Sequence, residues 1–398
     1  MKIKEWVPGS HILMEKNENY WNAEAVTADT IKFVLMEDMN AAYSAYKTGE
    51  VMFSRDVPTE EIPNLREDPE FHVAPILGTY YVSLNLEREY FQDPKVRQAL
   101  SLALDRQYIA DTIMQGTYTP ATNFIGPGVS DAEAGSSFQE TTIAEYGEFF
   151  HVDDFESDLA KAKELLADAG YPNGEGFPMI EYMTNDAGYN KALAEYLQSA
   201  WGELGINTDI KIIEWASFTP TRRNGDYDIA RNGWVYDYDD PSNMLNLFES
   251  TNGNNDGRYN NPEYDALIAS ARETVDKAEH YSLLHEAEQL LLNDMGMIPI
   301  AITMISGFRS RSFREPGILH MATGILCMLP MATQDRRRKQ RLQRRRLLQR
   351  RQNNIIIRHR QEKPSRRRYG VREVFSLGRR DFSRRHRPHP QRYEGGIG

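Results

Sequence analysis

Along this chain the period of apolar and polar positions changes repeatedly. Near the start, IKEWV, HILMEKNENYW and DTIKFVLME place β-branched and aromatic residues between charged and turn residues, which predicts short strands with a loop. Residues 40–50 (NAAYSAYKTGE) have helical composition and stop at Gly49, a residue suited to a helix C-terminus, and a strand, VMFS, is expected next. TYYVSLNLE alternates in polarity and predicts a strand. DPKVRQALSLALDRQYIADTIM predicts a helix, with Asp93 as N-cap, Pro94 in the first turn, and Val96, Leu100, Ala103 and Leu104 on one face.

Residues 117–150 are rich in Gly, Pro, Ser and Thr and are expected to form a long surface excursion. A helix is expected after Asp154, with Leu159, Ala162, Leu165, Leu166 and Ala169 on one face and Gly170 at its end. MIEYMT, NKALAEYLQSAWGELG and INTDIKIIEW then read as strand, helix and strand, and SFTPTRRNGDYDIARNGWVY as short helix, turn and strand. This alternation predicts an α/β unit with substantial parallel pairing. One long helical run, 261–295, is expected to pack on it, and MIPIAI reads as a buried strand.

Composition narrows the function. With 40% hydrophobic, 11% aromatic and 26% charged residues over 398 positions, the chain reads as a soluble globular protein with room for two or three domains. Its net charge of −11 joins unlike pieces: residues 336–398 hold about 23 Lys and Arg against about four acids, near +19, and the rest is near −30. So acidic a body argues against general nucleic-acid binding upstream of the tail. Cys327 is the single cysteine, which rules out an intrachain disulfide, and no Cys/His spacing suggests zinc. No run of about 20 apolar residues occurs. The opening MKIKEWVPGSH lacks the apolar core of a secretion signal, so the chain as written is expected to carry no export signal. GxSxG, HExxH, Walker and Cys/His arrangements are missing and the histidines are scattered, so binding without catalysis, metal or cofactor is expected.

In order along the chain stand EKNENYW at 15–21, the strand–helix–strand of 29–51, YYVSLNLE followed by VRQALSLALDR, AKAKELLADAGYPNG, GWVYDYDDPSNMLNLF and GRYNNPEYDALI. Together they resemble family 5 of the extracellular solute-binding proteins, the dipeptide- and oligopeptide-binding components of ABC importers. The resemblance implies an α/β fold of the periplasmic-binding-protein type II kind, in which two lobes joined by crossing strands close over an extended ligand. Part of the first lobe and the small N-terminal domain are expected to be missing, with Met1 an internal start. The expected parts are 1–86, the returning portion of lobe I; 87–302, lobe II; 303–335, an out-of-frame remnant of the C-terminal return to lobe I; and 336–398, an Arg/Gln-rich disordered tail. The frame change is expected near Ile302, where the family's YYYxxxWLxxP strand gives way to ITMISGFRSR. A single shift recovers family-like YYDFWLQKP there and HGYWDTLYATD further on.

The resemblance also implies a ligand, a peptide, which offers a cationic amine, a row of amides and a carboxylate. Asp237 in GWVYDYDDP occupies the position that pairs with the ligand's α-amino group in oligopeptide binders. The backbone at Trp234 and Val235 would supply strand-type hydrogen bonds, and Trp234, Tyr236 and Tyr238 would line the pocket. Tyr81 and Asn85 lie on the strand resembling the interlobe crossing, Asn85 as a hinge or cleft residue. Each has a plainer reading, since strand aromatics pack cores and exposed acids are often merely solvated. The expected partners are a peptide and the membrane permease subunits of an ABC importer, with no specific nucleic acid. The chain is expected to be a monomer and extracytoplasmic, in the periplasm or lipid-anchored outside the cell membrane. With most of one lobe missing, ligand binding is expected to be weak. The alternatives are another solute in the same family (a nickel chelate, haem or an oligosaccharide) or non-specific nucleic-acid binding through the basic tail.

Overall fold

The computed structural model describes residues 1–309 except Thr27, Glu37 and Asp56, together with 320–322 and 325–327. Strands β1 (Lys2–Val7), β2 (His11–Glu15) and β3 (Thr30–Val34) form an antiparallel meander. β2 ends earlier than the apolar pattern suggests, because Asn17 starts a turn in which its side chain accepts from the Asn19 amide. Helix α1 (Met39–Lys47) begins where Asp38 accepts the Ala41 amide at 2.7 Å. β4 (Phe53–Ser54), α2 (Ile62–Leu65) and the long strand β5 (Phe71–Leu84) follow.

The next elements are α3 (Pro94–Leu102), α4 (Arg106–Tyr108), β6 (Thr119–Pro120), α5 (Phe138–Tyr146), α6 (Phe155–Asp168), β7 (Ile180–Asn185), α7 (Asn190–Gly202), β8 (Thr208–Ile213), α8 (Trp215–Asn224), β9 (Ile229–Val235) and α9 (Ser242–Leu245). Then come α10 (Pro262–Glu273), α11 (Lys277–Asn293), β10 (Ile298–Arg309) and the hairpin β11 (His320–Ala322) and β12 (Ile325–Cys327). Two expected long helices are each broken by a side-chain cap. Asp105 takes the Tyr108 amide at 2.8 Å and starts α4 anew, and Asp276 takes the Glu279 amide at 3.0 Å and starts α11.

The main sheet runs β4-β10-β5-β9-β7-β8, with β6 beside β10. Parallel pairing is confined to β7 with β8 and β9, the strands linked by helical crossovers α7 and α8. The remaining pairs are antiparallel, because β5 and β10 run the length of the molecule in opposite directions. The sheet is therefore mixed, and less parallel than the sequence pattern suggests. Two separate cores share these long strands. A small one gathers Tyr46, Val57, Ile62 and Leu65 around Phe308 on β10, whose ring lies 4.7 Å from Tyr46. The large one occupies the other end of the sheet and includes Val82, Leu100, Leu197, Trp201 and Ile298. β10 spans Ile298–Arg309, with its register against β5 shifting between Pro299 and Ala301 and again between Ile302 and Met304. Residues 336–398, and the expected remnant 303–335 apart from its first strand residues and the β11–β12 hairpin, lie outside the described residues.

Residues 117–150 do not form a surface excursion: Phe124, Ile125 and Phe138 are fully buried in the large core, and Phe150 nearly so. Their Gly/Ser/Thr-rich setting hid four large apolar side chains, and a buried carboxylate, Glu288, receives the Ile125 amide at 2.7 Å. The loops after α6 and α7 approach so closely that a Cβ on Gly205, at φ +79°, would sit 2.0 Å from the Asn173 carbonyl oxygen. Gly205→Ala is expected to destabilise the fold by about 2 kcal/mol. Urea unfolding followed by circular dichroism checks this, and an unchanged midpoint would contradict it.

Candidate functional site

The site is built where β9 leaves the sheet. Gly78 of β5 pairs with Val235, and its lack of a side chain permits this, since a Cβ there would lie 2.7 Å from the Trp234 carbonyl oxygen. The Tyr236 amide extends the ladder by one bond to the Leu77 carbonyl at 2.9 Å, and the chain then turns away. Asn243 holds that turn: its Oδ1 accepts the Trp234 indole N–H at 3.0 Å and the Asp237 amide at 3.4 Å. Three acids follow one another closely here, and two are already engaged. Asp239 receives the Ser130 amide and hydroxyl at 2.9 and 2.7 Å, and Asp240 faces His280 Nε2 at 3.2 Å. Asp237 is exposed, and its carboxylate has no partner among the described residues.

Trp234 and Val235 are half-buried, Tyr238 is exposed, and Tyr236 is buried, its phenol pKa raised by burial and by nearby Glu288. These four therefore gather with Asp237 around the end of β9. Tyr81 and Asn85 do not join them. Tyr81 is packed between Phe124 and Phe248, with ring centroids 5.8 Å away in both cases. Asn85 is buried at the opposite end of the β5–β9 pair. Its amide nitrogen donates to the Gly225 and Tyr227 carbonyls and its oxygen accepts the Glu87 amide, so it braces a loop and presents nothing to a cleft.

The strand alternation that buries Tyr81 turns Tyr80 to the other face, together with Arg231, which pairs across from Val82. Both line a cavity of about 130 Å³ between the two cores. The small core contributes Met39, Arg55, Val57 and Ile62, and the large-core side contributes Tyr118, Tyr189 and Asn190. The Tyr80 hydroxyl donates to Asn190 Oδ1 at 3.1 Å, and Tyr118 meets Tyr189 edge-on at 5.3 Å. Burial raises the pKa of all three phenols, which keeps them as neutral hydrogen-bond donors. The Arg231 guanidinium stands 5.4 Å over the Tyr80 ring and 5.5 Å over Trp215. Its backbone is fixed by Arg222, which donates to the Arg231 carbonyl and pairs with buried Asp256 at 2.8 Å.

Sequence reasoning named Tyr80 only as part of the strand resembling the interlobe crossing and did not select Arg231 or Arg55. A charged residue inside the strand IARNGW was the available signal, since strand interiors rarely bury a charge. A larger, open hollow of about 520 Å³ is walled by Asp105, Asp111, Asp153, Asp154 and Glu156. Two of those acids are helix N-caps. Among the described residues, no group of three or more His, Cys, Asp or Glu could hold a metal, and no helix is long and apolar enough to cross a membrane.

Residues 2–256 match the family model described as bacterial extracellular solute-binding proteins, family 5 Middle. The chain is 31% identical over 310 residues to the oligopeptide-binding protein OppA of Bacillus subtilis, covering 75% of this chain and 54% of that one. It is 30% identical over 315 residues to heme-binding protein A of Haemophilus influenzae, covering 77% and 54%. The chain thus spans about half the length of the curated relatives it matches. Among solved structures, it is similar to Haemophilus influenzae OppA in complex with RPPGFSPFR, with a TM-score of 0.65, 26% identity and coverage of 78% and 60%. It is also similar to the Borrelia burgdorferi oligopeptide-binding protein OppAIV, with a TM-score of 0.64, 28% identity and coverage of 78% and 60%. These likenesses carry the periplasmic-binding-protein type II fold, and with the family match they show that the chain belongs to family 5 of the bacterial extracellular solute-binding proteins.

Proposed function

We propose that this chain captures peptides between its two cores as the solute-binding part of an ABC importer, binding its ligand without chemical change. One observation carries the reading: β9 carries Arg231 into the cavity, and two residues past the end of that strand, six after Arg231, stands the exposed carboxylate of Asp237, which has no partner among the described residues. Six residues of extended chain reach at most about 20 Å, the length of a short extended peptide. A peptide's ammonium and carboxylate ends match the two charges in sign. The names of the relatives agree, since the OppA proteins of Bacillus subtilis and Haemophilus influenzae are oligopeptide-binding. Hinge closure would hold the ligand and present it to the membrane permease, on the extracytoplasmic side and with the binding protein as a monomer. Haem is the second reading, because one relative at 30% identity is a haem-binding protein.

Thermal melting with a mixture of tripeptides tests the reading, with a rise in midpoint expected as ligand exceeds its Kd. Asp237→Ala should weaken binding of peptides with a free amine about tenfold, the scale of one charge-assisted hydrogen bond, and leave N-acetylated peptides unaffected. Equal affinity of wild type and variant for the free-amine peptides would remove Asp237 from the site. No shift with any peptide would remove the peptide reading itself.

A further inference from the structure

The cavity between the cores carries the opposite charge from the body around it. Residues 1–335 hold about 30 more acids than bases. The described lining of the cavity nevertheless has two arginines, Arg55 and Arg231, and no carboxylate. A cationic wall inside an acidic body concentrates its field in the cleft it lines. The two arginines differ in situation. Arg231 is buried, its guanidinium over Tyr80 and Trp215, and it is engaged within the protein. Arg55 follows β4 on the small-core side, is exposed at the rim, and acts electrostatically on the Tyr118 phenol across the cavity. The neutral phenols of Tyr118 and Tyr189 add hydrogen-bond donors to the same wall.

We propose that Arg55 is a specificity-determining residue that selects ligands placing a carboxylate in this cavity. The inference rests on the peptide reading above and names its substrate class, peptides with an anionic group at that point. A guanidinium offers a planar pair of donors that matches a carboxylate, a geometry that an ammonium or an amide does not reproduce. The cavity opens to solvent beside exposed Arg55, so an acidic side chain or a chain end can enter it. The carboxylate has two possible sources, an acidic side chain or the peptide's own C-terminus.

Titration calorimetry on the full chain separates the sources. The probes are alanyl-glutamyl-alanine, alanyl-glutaminyl-alanine and the C-terminal amide of each, with glutarate as a non-peptide diacid. One of the two carboxylates is expected to bind about tenfold more tightly than its amide counterpart, and Arg55→Gln to bring that ratio close to one. Arg55→Lys should restore part of it. A side-chain source shows in the glutamyl-to-glutaminyl ratio, and a C-terminal source in the acid-to-amide ratio. If neither ratio exceeds about twofold in the wild type, or if Arg55→Gln leaves both unchanged, the assignment of Arg55 fails. If no peptide binds but glutarate does so in an Arg55-dependent way, the cavity assignment stands and the peptide reading falls. If glutarate binding does not depend on Arg55, or nothing binds, the assignment of Arg55 falls as well.

Discussion

Arg106→Leu is expected to destabilise the protein by about 4 kcal/mol, lowering its thermal midpoint by roughly 8 °C. Arg106 is buried at the start of α4, with its guanidinium 3.6 Å over the Phe150 ring. It donates to the Pro299 carbonyl at 2.9 Å, the Ser101 carbonyl at 3.1 Å and the Ser101 hydroxyl at 2.8 Å. Burial pushes its pKa down to about 9, which leaves it a cation at neutral pH, held by these acceptors. Leucine fills much of the volume but removes the donors to the Pro299 carbonyl and the Ser101 hydroxyl, while the Ser101 carbonyl keeps the Leu104 amide at 3.3 Å; each hydrogen bond lost from a charged donor costs about 1.5–3 kcal/mol. It also removes the bond that fastens α4 to β10 beside the small strand β6. Urea unfolding of wild type and variant measures the effect, and a loss under about 1 kcal/mol would show that water or rearrangement satisfies those groups.

Glu288→Gln should act in the opposite direction and only at higher pH. Glu288 is fully buried on α11, receives the Ile125 amide, and lies 3.4 Å from the Thr142 hydroxyl. Thr142 in turn contacts His285 Nδ1 at 2.7 Å, and His285 Nε2 lies 3.5 Å from Asp131 Oδ1. The buried phenols of Tyr236 and Tyr264 face the same carboxylate. Burial raises the Glu288 pKa from 4.5 to about 7 and lowers that of His285. The folded state therefore holds a proton that the unfolded chain gives up at lower pH. The associated stability is fully present below about pH 4.5 and is lost as pH rises through about 7. The loss amounts to about 3 kcal/mol at pH 8.

Glutamine imitates the protonated acid: its oxygen can accept the Ile125 amide and its nitrogen can donate to Thr142. The variant should match wild type near pH 4, exceed it by under about 1 kcal/mol at pH 5 and by about 3 kcal/mol at pH 8. Thermal midpoints measured from pH 5 to 9 test this, and parallel curves for the two proteins would contradict it.

Much of the fold was legible because its signals are local. Asp93 and Asp154 cap the helices that follow them, as their side-chain bonds to Lys95 and Ser157 show. β7, α7, β8 and β9 fall where polarity alternates. The two misjudged helices failed for a reason of the same local kind, since Asp105 and Asp276 were N-caps inside runs that otherwise read as continuous. The site was legible only in part. The DYDD loop stood out as a cluster of acids, but the engagement of Asp239 with Ser130 and of Asp240 with His280 depends on partners far along the chain. Tyr80 and Tyr81 are neighbours of the same chemistry, and only the register with β9 decides that one faces the cavity and the other the core.

By itself the sequence determined the family, the caps at Asp93 and Asp154 and the strand–helix alternation, because these depend on residues a few positions apart. The tertiary structure decided that Glu288 would hold Ile125 across 163 residues, that 117–150 would be buried, and that Arg55 and Arg231 would share one cavity. Burial and charge pairing depend on which surfaces come together, and no period or motif in the chain encodes that meeting directly.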